Sequence, residues 1–273
     1  MSTRQLFNVL TLCSGTVSLV SAATLLSANP ALAIFNGSFE TGDFTEWATI
    51  GDTSIETEAF GSGPTDGDFQ ALLSTGVFNT FPVTVPVTVP VSDIETFLGL
   101  TAGSLATIPN LPNVDTPTEG SAIQQTFTAH AGDILTFDWN FLTNEFTSSL
   151  NPEDFPGFPF VNPEIYNDFS FVSISQMVDG LADTNSPLFI ESLTDFVTPF
   201  FEETGFQSFS YTFETSGSFS LGFGVLDEDD TFVSSGLLID NVELTPVPEP
   251  ASILGLLALG ALGTGAAFKK KTA

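Results

Sequence analysis

Basic side chains are nearly absent from this 273-residue chain, whose formal net charge is −29. Apart from Arg4 near the start and Lys269 to Lys271 near the end, the chain has no Lys or Arg, although residues 34–246 contain 32 acidic residues, all 33 except Glu249. Such a segment has no cationic surface for phosphates, which excludes nucleic acid as a partner. It also has no lysine for a phosphate-binding loop or a Schiff base.

Cysteine and histidine are as scarce as the bases, with one of each. Cys13 lies in a segment that we interpret below as a leader, so the mature chain would have neither a disulfide nor a thiol nucleophile. His130 follows one predicted strand and precedes another, without a second His or Cys to complete a site. A Ser-His-Asp triad and a zinc site are therefore excluded. A carboxylate pair is the catalytic arrangement that the composition still permits.

The abundant residues favour strands around a sizeable core. Hydrophobic residues make up 42% of the chain and phenylalanine alone occurs 29 times, so a substantial core can be buried. Gly, Ser, Thr and Phe are frequent, whereas Met occurs only 2 times. This composition is typical of strands and turns rather than of helices.

Residues 1–33 have the three parts of a secretory signal peptide. Arg4 supplies a positive start, an apolar signal helix follows between Leu6 and Leu26, and Ala31-Leu32-Ala33 forms a small-residue cleavage pattern. We therefore expect export of the chain and cleavage between Ala33 and Ile34.

The other end, residues 246–273, contains a second ordered set of signals. Val247-Pro248-Glu249-Pro250 precedes 18 uncharged residues, Ala251 to Phe268, and then Lys269 to Lys271. At ~1.5 Å per residue, a transmembrane helix of that length spans about 27 Å, enough for the hydrocarbon core of a membrane. The lysines should stay in the cytoplasm, which leaves everything before the helix outside.

This order of a Pro-Glu-Pro motif, a short apolar helix and a basic tail resembles a PEP-CTERM sorting signal, with lysines where many members have arginines. The resemblance implies exosortase as a partner, a membrane-embedded, transpeptidase-like cysteine protease that would cut at or near Pro248-Glu249-Pro250. The protein would sit transiently in the inner membrane through residues 251–268. It would then be released to the cell surface or extracellular matrix, where exopolysaccharide is the expected second partner.

Between these ends, residues 34–245 alternate apolar and polar side chains over short runs. The clearest runs are residues 135–141, 208–213 and 219–225, where every second residue is aromatic or apolar. A period of two indicates strands with one buried face. Further strands are predicted at residues 37–40, 47–51, 69–75, 121–129, 168–177, 187–193 and 237–245. About ten such strands predict an all-β fold, a single antiparallel sandwich.

One segment interrupts the strand pattern, and we interpret about residues 77–117 as an insertion that decorates the sandwich. Pro82, Pro86 and Pro90 recur at every fourth position, which excludes a central strand and favours an edge strand or a polyproline-like loop. Ser92 and Glu95 then have the spacing of a capping box, so a short helix is predicted at residues 93–100.

Three phrases in the sandwich segment resemble jelly-roll domains of the galactose-binding and carbohydrate-binding-module kind. They are residues 36–47, residues 64–72 and the final phrase Leu-Leu-Ile-Asp-Asn-Val-Glu-Leu at residues 237–244. The resemblance implies a jelly-roll sandwich. It also implies a structural Ca²⁺ between the first and last strands, with Glu40, Asp240 and either Asp66 or Asp68 as ligands.

Other interpretations of these polar residues remain open. Calcium requires six to eight oxygen ligands, which carboxylates can supply, but Asp240 could instead face solvent or cap backbone amides. The acidic run Asp227 to Asp230 lacks the spacing of an EF-hand, so we interpret it as a solvated loop whose repelling carboxylates favour a divalent ion. The strand pattern places Trp139 and Tyr211 inward, which leaves Tyr166 as the best candidate for stacking on a sugar ring.

Three functions are consistent with the sequence. The first is a non-catalytic, exosortase-processed surface or matrix protein that binds polysaccharide. The second is a carboxylate-pair glycoside hydrolase on the same scaffold, and the third is a purely structural acidic matrix protein. A cleft with two carboxylates about 5–9 Å apart and flanking aromatics would favour the hydrolase, whereas a shallow face would favour binding or structure.

Overall fold

The computed structural model describes residues 34–76, 88–111, 114–145, 147, 167–189, 198–229, 231 and 233–247. The predicted signal peptide, the predicted transmembrane helix, Pro248 to Pro250 and Tyr166 lie outside these residues. Within them, no helix has both the length and the apolar character needed to cross a membrane.

The described residues form two antiparallel sheets that pack face to face. In chain order the elements are β1 (Ala48–Ile50), β2 (Asp52–Glu56), β3 (Gln70–Ser74), β4 (Val89–Pro90), α1 (Val91–Leu98), β5 (Pro117–Ala129), β6 (Ile134–Thr143), β7 (Phe169–Ile174), β8 (Met177–Asp183), β9 (Glu202–Glu203), β10 (Gln207–Thr212), β11 (Gly217–Glu228) and β12 (Ser235–Thr245). The first sheet has the order β1-β5-β11-β7-β8, and β4 also pairs with β5. The second has the order β10-β6-β12-β3-β2, and β9 also pairs with β6. The prediction of an all-β antiparallel sandwich is therefore confirmed.

The core between the sheets follows the alternation seen in the sequence. In β6, Leu135, Phe137, Trp139 and Phe141 all point into it. The ring of Phe137 lies edge-on to that of Phe223 in β11, with centroids 4.7 Å apart, which links the two sheets directly. Because burial of one such side chain contributes about 1.5–3 kcal/mol, this strand is a major source of stability.

Both outer faces of the sandwich are also covered by apolar side chains. On the first sheet, α1 and residues 100–111 and 114 pack Ile94, Leu98 and Leu105 against Phe169 and Phe171 of β7. On the second sheet, Phe60, in a 3₁₀ helix at Glu58–Phe60, and Phe200 cover the outward-facing leucines Leu72, Leu142 and Leu238. The described part of the 77–117 segment therefore packs as a layer on the first sheet.

The local predictions for this segment had different outcomes. Val89 and Pro90 form an edge strand beside β5, as the proline repeat predicted for its last residues. The helix begins and ends two residues earlier than predicted, and its N-cap, Pro90, makes no side-chain hydrogen bond. The predicted capping box does not form because Glu95 accepts from the amides of Gly103 and Leu105 instead, at 2.9 and 3.0 Å.

Two further strand predictions were wrong. Residues 37–40 form turns rather than a strand, with Phe39 at a positive φ of 57°. Residues 187–189 are not in a strand, and residues 190–193 lie outside the described part. The sequence analysis also missed β8, which folds back on β7 through a tight turn at Ser175, whose φ of 55° reverses the chain.

Candidate functional site

Asp240 of β12 holds the loop that joins β2 to β3. Its Oδ2 accepts hydrogen bonds from the amides of Thr65 and Asp66, at 2.6 and 2.9 Å, and from the Thr65 hydroxyl at 3.1 Å. Its Oδ1 accepts from the amide of Asn241 at 2.7 Å. Burial raises the pKa of Asp240, and these hydrogen bonds oppose that rise. Asp240 therefore caps backbone amides, which was one of the two alternatives to calcium binding that the sequence left open for this residue.

Glu40 holds the same loop a few residues further along. Its Oε1 accepts from the amides of Asp68 and Phe69 at 2.8 and 3.0 Å. The carboxylate lies over Gly67, where a Cβ atom would stand 2.2 Å from the Glu40 Cδ. Gly67 also has a φ of +72°, so both its backbone and its contact with Glu40 require glycine.

Two of the carboxylates that were predicted to bind calcium, Glu40 and Asp240, thus accept from N–H donors of one loop. Asp68 contributes its amide, and not its carboxylate, to the contact with Glu40. Across the described residues, no three His, Cys, Asp or Glu side chains form a group that could hold a metal ion. Calcium binding at Glu40, Asp68 and Asp240 stays a prediction.

The first two residues of the acidic run at 227–230 are buried, whereas Asp229 is exposed. Asp227 and Glu228 belong to β11 and are 1% and 2% exposed, so the prediction of a solvated loop was wrong for them. Glu228 Oε1 accepts from the amides of Asp115 and Thr116 at 2.5 and 3.1 Å, while its Oε2 is buried without a hydrogen bond. Burial raises the pKa of Glu228, and the nearby carboxylates of Asp115 and Asp229 add to the rise.

A cavity of about 320 Å³ lies where β8 ends, against the segment that follows α1. Its lining comprises Asn110, Leu111, Leu181, Ala182, Asp183, Asn185, Ser186 and Pro187. The side-chain amide of Asn110 pairs with Gly180 like a neighbouring strand, donating to its carbonyl at 2.7 Å and accepting from its amide at 2.9 Å. Asn110 thus occupies the hydrogen-bonding groups of Gly180 at the edge of β8, and the cavity lies next to this contact.

The polar wall of this cavity is a hydrogen-bonded network around a buried asparagine. Asn167 donates to Asp183 Oδ2 at 3.2 Å and accepts from the side chains of Thr184 and Asn185, both at 3.0 Å. Burial raises the pKa of Asp183, against the hydrogen bonds from Asn167 and Asn185. Tyr166, the predicted sugar-stacking residue, immediately precedes Asn167 but lies outside the described residues.

The cavity offers carboxylate and amide groups beside an apolar wall, a combination suited to a ligand rich in hydroxyl groups. None of its lining residues was predicted from the sequence as a site residue. The signal that could have pointed to it was the polar, proline-bearing stretch of residues 162–168, which contains Asn167.

A second cavity, of about 250 Å³, lies on the outer side of β2 and β3. Asp52, Glu56 and Phe60 help to line it. Asp52 accepts from the Ser74 hydroxyl at 2.5 Å and Glu56 from the Ser54 hydroxyl at 2.7 Å. Because the two acids stand four residues apart on one strand, their Cα atoms are about 13 Å apart.

The described chain ends where the predicted sorting motif begins. The amide of Val247 donates to Asp133 Oδ1 at 3.0 Å, and the Val247 side chain is 43% exposed. The remaining motif residues, Pro248, Glu249 and Pro250, lie outside the described residues.

Comparison with known proteins gives different results for the sandwich and for the C-terminal segment. The solved structures with a similar fold include TmCBM61 in complex with β-1,4-galactotriose, with a TM-score of 0.37 and 11% identity over 78% of this chain and 97% of that chain. They also include the enzymatically active domain of the bacteriophage CBA120 tailspike protein 4, with a TM-score of 0.35 and 10% identity over 79% of this chain. This chain spans 21% of the tailspike chain.

Similarities at this level identify no ligand for the sandwich. No curated protein sequence matches the chain. The C-terminal segment, in contrast, matches a family model directly: residues 246–271 are a PEP-CTERM protein-sorting motif.

Proposed function

We propose that the chain is an exported, non-catalytic protein of the cell surface or matrix, whose jelly-roll sandwich binds polysaccharide and whose C-terminus exosortase processes. The observation that carries the proposal is the PEP-CTERM motif at residues 246–271. The predicted signal peptide at residues 1–33, and the predicted membrane helix at 251–268 with its cytoplasmic lysines, agree with it.

Processing is tested by replacing the acid of the motif. Glu249→Ala should leave full-length protein in the membrane fraction, because the motif would lose its charged recognition group. The matched control is Glu243→Ala, which removes an exposed acid of β12 six residues earlier and should leave release normal. Blots of membrane and culture fractions measure both variants, and normal release of the Glu249 variant would refute exosortase processing.

Polysaccharide binding is assigned to the cavity beside β8. Asp183 and Asn185 can bond sugar hydroxyls while Leu111 and Leu181 contact the apolar faces of the ring. Because residues 34–246 contain 32 acids and no Lys or Arg, the ligand should be neutral rather than anionic.

A glycan array with the released protein tests this assignment. Ser186→Trp should fill the cavity without removing a charged group and should lower the affinity for any bound glycan at least about tenfold, since its entry would be blocked. Ser218→Trp, on an exposed position of β11, is the control. Equal binding by both variants would exclude the cavity as the site.

The same array tests the alternatives. A hydrolase would shorten the bound oligosaccharides. A purely structural protein would bind none of the glycans.

A further inference from the structure

The folded sandwich leaves no spacer before the sorting motif. Strand β12 remains paired with β6 up to Thr245, opposite Ile134, and the Val247 amide is bonded to Asp133 two residues later. Pro248 comes directly after Val247 in the sequence, so no linker residues separate the described fold from the Pro-Glu-Pro motif.

Two turns form the end of the sandwich from which the chain leaves. We call residues 130–133, 213–216 and 245–247 the exit end. Gly132 donates to the Phe213 carbonyl at 2.7 Å, and the Phe213 amide donates to the Asp133 carbonyl at 2.9 Å. The Ala131 amide donates to the Ser216 hydroxyl at 2.9 Å. These bonds tie the β5–β6 turn to the β10–β11 turn and make the exit end a single surface.

Asp133 fixes the direction in which the chain leaves this surface. It is 1% exposed, and each carboxylate oxygen accepts from a backbone amide: Oδ2 from His130 at 2.7 Å and Oδ1 from Val247 at 3.0 Å. The Val247 side chain packs over Gly132, where an added Cβ would lie 3.8 Å from the Val247 Cβ. Val247 is thus held by both its backbone and its side chain.

The exit end also differs in charge from the opposite end of the sandwich. It contains His130, the only basic side chain of residues 34–246, and a single exposed acid, Glu214. At the opposite end, about 36 Å away along the 12 residues of β11, stand Asp115, Asp183 and residues 227–229. Repulsion from an anionic membrane surface is therefore weaker at the exit end than at the opposite end.

We propose that the exit end is a docking surface for the membrane-embedded processing enzyme, which meets this surface when it reaches the sorting motif that begins at Val247. The inference rests on the proposed processing by exosortase. An enzyme that holds residues 248–250 must come against the exit end, because Pro248 directly follows Val247 in the chain. A motif whose first residue, Val247, is already held loses less freedom on binding, which favours its capture.

The first test lengthens the connection in the full-length chain. Twelve Gly and Ser residues inserted between Val247 and Pro248 should slow processing about threefold to tenfold, since the motif would no longer start beside the exit end. The same insertion after Leu188, in an exposed turn at the opposite end that does not line the cavity, should have no effect on processing. Unchanged or faster processing of the first variant would overturn the proposal.

The second test alters the docking surface itself. Thr215→Arg places a bulky side chain at the exposed tip of the exit end and should also slow processing, whereas Leu188→Arg, at an exposed position of the opposite end, should not. Equal rates for both variants would contradict docking. Failure of the proposed function would be recognised separately, because Glu249→Ala would then be released normally.

Discussion

Buried carboxylates in this protein are compensated by backbone amides rather than by basic side chains. Residues 34–246 have no Lys or Arg, yet Glu95, Asp133, Glu228 and Asp240 are all buried. Each of the four accepts hydrogen bonds from at least two backbone N–H groups. Hydrogen bonds to a charged acceptor contribute about 1.5–3 kcal/mol, so these acids pin loops to the sandwich.

The replacement Asp240→Asn tests this at a single residue. It should lower the free energy of unfolding by about 1–3 kcal/mol, because the Asn side chain keeps only one accepting oxygen and therefore loses either the bonds from the Thr65 and Asp66 amides or the bond from the Asn241 amide. Urea unfolding measures the change. Asp68→Asn, at an exposed carboxylate of the same loop, is the control and should stay within about 0.5 kcal/mol of wild type. An unchanged free energy of unfolding for Asp240→Asn would show that the hydrogen bonds from the amides do not hold the loop.

At the scale of elements, α1 rests on the first sheet through a glycine. Leu98 of α1 lies over Gly222 in β11, and a Cβ on that glycine would come within 2.5 Å of both Leu98 Cδ2 and Ser173 Oγ. The glycine thus allows the helix and the strand to approach closely. This explains how a helix of 8 residues can cover a sheet face.

A pair of glycine replacements tests that contact. Gly222→Ala should destabilise the fold by about 1–3 kcal/mol, since the added methyl group overpacks a filled interface. Gly217→Ala, in the same strand, is the control, because its nearest neighbour would be 3.8 Å away. Thermal unfolding of both variants gives the comparison, and equal melting temperatures would mean that α1 can shift to accommodate the methyl group.

The whole molecule has unusual electrostatics, because its acids face one another without opposing bases. Within the described residues the one ion pair is His130 with Asp133, at 3.6 Å. Burial raises the pKa of Asp179, Asp183 and Asp240, and that of Glu228 together with nearby acids. For these groups the folded state binds protons more tightly than the unfolded state.

Mild acid should therefore stabilise the protein. Between the raised pKa values and the ordinary values of 3.8 for Asp and 4.5 for Glu, the folded state holds more protons, so stability increases as the pH falls through this range. The exposed Asp43, whose pKa the hydroxyls and amide of Thr45 and Thr41 lower, acts in the opposite direction only below its ordinary value. Melting temperatures measured from pH 7.5 down to 5 should rise. A steady fall over that range would contradict the prediction.

Calcium is the second whole-molecule prediction. A cation that binds only the folded state adds about 2.7 kcal/mol at a hundredfold excess over its Kd, so millimolar Ca²⁺ should raise the melting temperature more than NaCl of equal ionic strength. The double variant Glu40→Gln with Asp240→Asn should lose the excess. Because that variant also loses amide caps, the calcium increment is compared within each protein. If Ca²⁺ and NaCl raised the melting temperature equally, the calcium prediction would be wrong, and Glu40 and Asp240 would only cap backbone amides.

The sequence by itself determined the sorting motif at the C-terminal end and the alternation of the sandwich core. The sorting motif is local, because its order of Pro248-Glu249-Pro250, apolar residues and lysines can be recognised within one short segment. The core faces of β6, β10 and β11 were also predictable, because a strand buried on one face must alternate its side chains. Such signals depend only on neighbours along the chain.

Only the tertiary structure decided the environment of the acids and the position of the cavity. Asp115 and Glu228 are 113 positions apart, and Thr65 and Asp240 are 175 apart, so no local pattern reveals that an amide meets each carboxylate. The outer layers could not be predicted for the same reason. Strand β7 is buried on both faces because α1 and residues 100–111 and 114 fold over it. Whether an acid is solvated, capped or part of a cavity depends on what packs against it, and chain folding alone brings those partners together.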